Sequence, residues 1–574
     1  MKKYILFLVM TALISSCYDL DQFPHDQLNA GTFWKTEDHV HQCMVAMYAT
    51  LRNENVFGAY YIIDALSELA CGYNNGQMSD IIRGIYTDRT EYIQSKWQSS
   101  YDGIFKANLL LQNIDNVNMA DDKKAIYKGE ARFIRALYYF HLLDFYGGVP
   151  LYDETTIVSN EFMEMKKTRS SVEDTRKFIL DDLEAAINAL PVKWGSSEHG
   201  RATRGAAIAL RGKAKLFAKD YAGALADFEE IVKDPQSRGY GYRLHNDYSE
   251  LFTLAADQSS EMIFSIKAIC GTNQDLGMPY ALLLGTRSVF GGGWNSCMPT
   301  DILADMYENK DGSKFNWNDY FPGLTGNDQE MRKQIFEAKI SEDKKTVAQY
   351  PAQMETIRKA YENRDPRLEQ TLITPYSHIL GCDGRTPKEM EYVISTTALS
   401  NSDGFIRDNL SHYNYYWRKF VPEGDMNGIL LDRSHSPVDF PLIRYADILL
   451  MLAECYNEEN RPDDAIAMIN EVRQRPSTNM PALNSGASWL KADSKEEIFQ
   501  RIVQERAVEL ACEGHRFSDL RRWGLAKDKL NFVYDDILGI VRYTRIFVDR
   551  DYLFPIPAVE FERNANLGDQ NPKW

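Results

Sequence analysis

The 574 residues carry 82 acidic against 65 basic side chains, a formal net charge of -17, with 44% hydrophobic and 26% charged residues. That acidic excess lacks the Lys/Arg footprint that nucleic acid demands. The length and apolar content suit a large core that needs no disulfide staple.

At the N-terminus Lys2 and Lys3 precede an apolar run, Tyr4 to Ile14, too short to span a bilayer and read as a secretory signal. Ile14-Ser15-Ser16-Cys17 then sets small residues directly before a cysteine, the pattern of a bacterial lipobox. An ordinary signal followed by a chance cysteine is the alternative. The absence of a nearby A-x-A site favours acylation. Residues 1–16 are thus expected to be a signal peptide and residues 17–29 a lipidated tether. Cys43, Cys71, Cys270, Cys297, Cys382, Cys455 and Cys512 are scattered with no C-x-x-C, so buried free thiols are expected.

Helical spacing predicts a helix from about Thr36 to Arg52, one over Trp97–Val117, and one from Asp121 to Tyr146 that Gly147-Gly148 ends. Ser171-x-x-Asp174 predicts a capped helix that stops before Pro191. His39-x-His41 is thin support for a metal and fits a helix start equally well. Two segments carry a repeat signature: Gly212 with Ala224-x-x-x-Phe228, and Leu452-Ala453-x-x-Tyr456 with Ala465-x-x-x-Ile469. Both match tetratricopeptide helix pairs, although Arg211 stands where Leu is expected. Between them, residues 240–440 are rich in Gly, Asn, Asp and aromatics. The expected class is mainly α, a tetratricopeptide-like helix-turn-helix scaffold with an inserted irregular, loop-rich part containing a few short strands. The expected parts are 30–239 and 441–574 for the helices and 240–440 for the ligand-binding insertion.

Several motifs recur in a fixed order. Cys17 is followed by Asp19, Asp21 and Phe33-Trp34-Lys35-Thr36, and then by Trp97-x-x-x-Tyr101-x-x-Ile104-x-x-x-Asn108. Glu130 to Ala136 leads to Tyr146-Gly147-Gly148-Val149-Pro150-Leu151. Late in the chain come Glu505-Arg506, Glu509-Leu510, Glu513-Gly514-x-Arg516 and Asp519 to Gly524. Leu553-Phe554-Pro555-Ile556-Pro557, Asn566-Leu567 and Gln570-Asn571-Pro572 close it. Their order and spacing resemble the SusD/RagB family of Bacteroidetes surface lipoproteins that bind nutrient glycans. Gly148 replaces a common Asp and Trp574 a common Tyr. The resemblance implies four tetratricopeptide-like units, a less regular glycan-binding part, and a SusC-like TonB-dependent transporter as partner. It also implies a lipid-anchored outer-membrane location facing the cell exterior.

Sugars present apolar C–H faces and polar rims, so their sites combine aromatic rings with a few placed polar groups. Three segments offer such residues. The first holds Tyr73, Asn74 and Asn75, with Arg83 downstream; Asn-Asn-Gly there also suits a plain turn. The second holds Trp294 after three glycines, followed by Trp317 and Tyr320 in a stretch without amphipathic period. In the third, Tyr413 to Phe420, alternation suggests a strand with half its aromatics facing a core. Trp97 reads as core packing.

The Glu505–Trp523 charges admit a catalytic carboxylate pair, but Arg–carboxylate ties between helices are the expected reading. No metalloprotease, nucleophile-elbow, phosphate-loop or dinucleotide motif is present, and no cofactor is implied. The expected function is glycan capture for a TonB-dependent transporter, without catalysis. Peptide capture, a lipid-anchored glycoside hydrolase and a purely structural lid are the rivals.

Overall fold

The computed structural model describes residues 33–72, 78–156, 165–233, 238–271, 276–324, 326, 328–408 and 414–574. Helix α1, Glu37–Ala49, opens with two acidic residues against the positive end of its dipole and buries Val40, Cys43, Met44 and Met47. Helix α2, Glu91–Asn113, starts a turn and a half before the expected point, and Trp97 on it is a core residue. Helix α3, Asp121–Tyr146, keeps the expected bounds, and Gly147 ends it in a left-handed conformation, φ 76°. Helix α4, Val172–Ala189, is capped by Ser171, whose Oγ accepts from the Asp174 N–H at 2.9 Å.

Helices α5, Arg204–Phe217, and α6, Tyr221–Val232, form the first repeat-like hairpin. Gly212 lies directly against Phe228, so the two helices pack where no Cβ intervenes. Arg211 is tolerated in place of Leu because it pairs with Asp227 on α6 at 2.6 Å and with Glu184 on α4.

The chain then leaves the helical array. Its strands are short and form two-stranded antiparallel pairs. Strand β1, Ala70–Gly72, pairs with β3, Cys297–Pro299. Strand β2, Met262–Ile266, pairs with β10, Phe440–Arg444. Between them lie β4, Lys339–Ile340, with β5, Val347–Gln349, and β6, Leu372–Ile373, with β9, Tyr416–Trp417. Strand β7, His378–Asp383, pairs with β8, Thr386–Glu391. Helices α7, Met354–Glu362, and α8, Arg367–Thr371, belong to this part. The strand expected over 413–420 is therefore only two residues long. Tyr415, Tyr416, Trp417 and Phe420 are all buried, which corrects the expectation that half of them face outward.

The array resumes with α9, Tyr445–Glu458, α10, Pro462–Arg473, and α11, Lys495–Glu509. Tyr456 at the end of α9 donates to Glu229 on α6 at 2.8 Å, and Arg461 reaches the same carboxylate at 3.1 Å. The second helix block thus docks directly onto the first. Helix α12, Arg516–Arg522, and a hairpin of β11, Phe532–Asp535, with β12, Val541–Arg545, follow. The tail folds back on α3: Asn571 Nδ2 donates to the carbonyls of Tyr146 and Phe554. No described helix is long and apolar enough to cross a membrane.

The densest charges lie at the centre. Glu509 accepts from Arg367 and Arg444 at 2.8 Å and from Arg475 at 2.7 Å. Glu513 accepts from Arg444 and Lys419, each at 2.6 Å, and Glu505 from Arg367 at 2.7 Å. All these side chains are buried, so neither water nor a sugar reaches a carboxylate there. Six of the seven scattered thiols are buried, Cys270 being the half-buried exception.

Asp64 contrasts with that network. It is buried, accepts N–H groups from Cys512 and Gly514, and has no ion pair among the described residues. Burial pushes its carboxyl up to about 7 despite those hydrogen bonds. A folded value above the unfolded one, about 3.9, means that its contribution is full below pH ~4 and is lost as pH rises toward 7. Asp64→Asn removes the titration. Its melting temperature relative to wild type should rise between pH 5 and pH 8. A constant difference across that range would refute the assignment.

Candidate ligand-binding surface

Cys17 and the residues Tyr73, Asn74 and Asn75 lie outside the described residues. The chain before that loop is described: Gly72 pairs with Cys297 across β1 and β3. Pairing therefore brings the start of the first candidate segment to within three residues of Trp294, the opening residue of the second. Arg83, partly exposed, caps a short helix, Ser79–Ile82. Beside it, burial raises the Tyr543 phenol on β12, and the charges of Arg545 and Arg83 oppose that rise. Tyr534, Tyr543, Phe532, Cys71 and Met298 pack together under this end of the fold.

Trp294 is 50% exposed. Its backbone is nonetheless rigid. The Trp294 N–H donates to the Leu282 carbonyl at 2.6 Å, and Gly293 approaches Gly285 so closely that a Cβ would lie 2.0 Å from its oxygen. Asn295 then takes a left-handed turn, φ 51°, and donates to Asp408 at 2.9 Å inside the protein. Arg433, tied to the Gly292 carbonyl at 2.6 Å, places its guanidinium 5.7 Å from the Trp294 ring centroid. An aromatic ring held at the surface on a fixed turn is what stacking on a sugar needs.

Trp317 differs from expectation. It is buried, with its indole N–H on Asp305 at 3.1 Å and Phe315, Phe336, Tyr361 and Phe321 around its ring. Asn316 caps a single 3-10 turn, Trp317–Asp319, which turns the indole inward. No ring face remains for a sugar, so Trp317 is a core residue. Tyr320, three residues on, is partly exposed, and its hydroxyl accepts from Asn363 at 3.2 Å. The structure records no contact between Tyr320 and Trp294.

Asn363 stands between Glu362 and Arg364, both of which line a cleft of about 950 Å³. Its walls come from residues 249–255, 361–378 and 418–429 and include Glu362, Glu369, His378 and Arg418 over Phe252 and Phe420. Burial raises the Glu369 carboxyl, and Arg418 opposes it. Sequence reasoning missed this cleft. Its walls come from segments far apart in the chain, and none carries a local motif.

The sequence profile described as the SusD family matches residues 260–574. The chain belongs to the SusD family. A second profile, described as starch-binding associating with outer membrane, matches residues 20–216. SusD-like protein P25 of Formosa agariphila is 24% identical over 91% of this chain and 90% of its own length. The starch-binding protein SusD of Bacteroides thetaiotaomicron is 26% identical over 86% of this chain and 80% of its own. A solved SusD-like carbohydrate-binding protein from Bacteroides fragilis is 25% identical, superimposes with a TM-score of 0.74, and covers 94% of this chain and all of its own. The SusD-family profile contains both the buried Glu505–Trp523 network and Trp294, so the framework and its exposed ring fall in one matched region.

Proposed function

We propose that this SusD-family chain is a cell-surface lipoprotein that captures oligosaccharides and delivers them to a SusC-like TonB-dependent transporter of the outer membrane. The observation that carries it is Trp294, a half-exposed ring on a rigid turn within the matched region. The carbohydrate named for its relatives, starch for one of them, supports the ligand class. In this reading residues 240–440 bear the ligand surface and residues 30–239 and 441–574 the scaffold. Acylated Cys17 holds the protein at the outer membrane, facing the exterior. Tyr73, Asn74, Asn75, Arg83 and Tyr320 serve as further polar or aromatic ligand contacts. In this reading no bond is broken, and the sealing of Glu505, Glu509 and Glu513 by arginines and a lysine supports it.

Calorimetry on the form lacking residues 1–17, against neutral polysaccharides and a peptide pool, tests the reading. A glycan hit that Trp294→Ala weakens about tenfold, about 1.4 kcal/mol, is the expected result. Retention of peptides with silence on every glycan would overturn it. So would steady release of reducing sugar.

A further inference from the structure

A second cleft, of about 490 Å³, does not include Trp294 in its walls and lies where the α4–α5 connection meets residues 239–243 and 258–267. Its walls include Lys193, His199, Arg201, Arg243 and Lys267, and no carboxylate among the described residues. That is unusual in a chain of net charge -17. The cleft beside Arg418 is lined by four acidic side chains as well as basic ones, and an apolar groove beside Trp97 includes Glu560.

Two of the cations are already neutralised. Arg201 pairs with Glu130 at 2.5 Å and Glu198 at 2.7 Å, and Lys267 pairs with Asp439. Lys193 and Arg243 are exposed and have no acidic partner among the described residues. Ser265, buried on β2, also lines the cleft, and its hydroxyl has no partner among the described residues. His199 reports the local field: burial and the neighbouring Lys267 charge hold its imidazole below the usual value. Its Nδ1 lies 3.4 Å from the Lys267 ammonium.

We propose that this cleft binds a sugar unit bearing a sulfate or carboxylate, with Lys193 and Arg243 as its counter-ions. A neutral ligand gains nothing from these two exposed, hydrated cations, whereas an anionic sugar gains their charge and meets no acidic side chain among the described lining residues. Approach to so acidic a protein is otherwise unfavourable for an anion, so the site must act at short range and weaken with salt. The inference takes from the glycan-capture reading only that the ligand is a sugar.

Calorimetry with dextran sulfate, polygalacturonate fragments, neutral dextran and inorganic sulfate tests it on the form lacking residues 1–17. At least one anionic glycan should bind tenfold or more tighter than dextran at low salt and lose that advantage in 0.5 M salt. Lys193→Gln with Arg243→Gln should abolish the preference, and the His199 titration midpoint, read by NMR, should rise when the anionic glycan binds. Equal binding of anionic and neutral glycans, or a double variant that keeps the preference, would overturn the proposal. Inorganic sulfate that matches the glycan in affinity would overturn its sugar component. Failure of Trp294→Ala to alter neutral-glycan binding bears on the capture reading alone, so the two results separate.

Discussion

Glu509→Ala is expected to destabilise the protein by about 3–5 kcal/mol, the range for breaking a buried ion pair by removing one partner. The Glu509 carboxylate joins three guanidinium groups, those of Arg367, Arg444 and Arg475, none of which reaches solvent. Ala leaves those charges to Glu261, Glu505, Glu513 and Asp365, each already engaged. Burial alone would raise the Glu509 carboxyl, but Arg475, Arg444 and Arg367 hold it well below the usual carboxylate range. Its stabilisation is therefore complete above pH ~4, where the unfolded group is ionised, and is lost as pH falls toward the folded value. Urea unfolding should show a lower midpoint, with the gap between wild type and variant narrowing from pH 5 to pH 3. Glu509→Gln, which keeps an acceptor without the charge, should fall between them. A variant within 0.5 kcal/mol of wild type, on the ordinary scale of surface substitutions, would show that the arginines redistribute freely.

Gly212→Val ranks next. A Cβ at position 212 would sit 2.5 Å from Phe228 Cε1, and valine adds two further methyl groups at the same contact. Ring and backbone must part, at the typical overpacking cost of about 1–3 kcal/mol or somewhat more. The contact matters beyond one hairpin because α6 carries Glu229, on which the returning helices dock. Phe228→Leu opens space on the facing helix, so the double variant should recover part of the loss. Two strictly additive effects in a thermodynamic cycle would mean that the strain is relieved elsewhere.

Much of the scaffold was legible because its signals are local. Helix α3 was readable from end to end: an apolar stripe begins after an acidic first turn and stops at a glycine that takes positive φ. The Ser171 cap and the Gly212–Phe228 pairing each lie within one helix pair. The structural role of Glu505, Glu509 and Glu513 was also readable, from charge density and motif order. Their partners were not. Glu261, Arg367 and Arg444 come from segments 65 to more than 180 residues away from the acids or bases they meet.

The site divides along the same line. Trp294 and Trp317 look alike in sequence, each beside Asn in a loop. A glycine run pressed against Gly285 holds one at the surface, while a capped 3-10 turn and four neighbouring rings bury the other. The two clefts have no sequence signature, since their walls join segments that only the folded chain brings together. Periodicity, caps and small residues act between neighbours in the chain, so the amino-acid order alone determined the helices and the family. Which ring meets water, and which cation lacks a carboxylate, depends on contacts across hundreds of residues, and only the tertiary structure decided them.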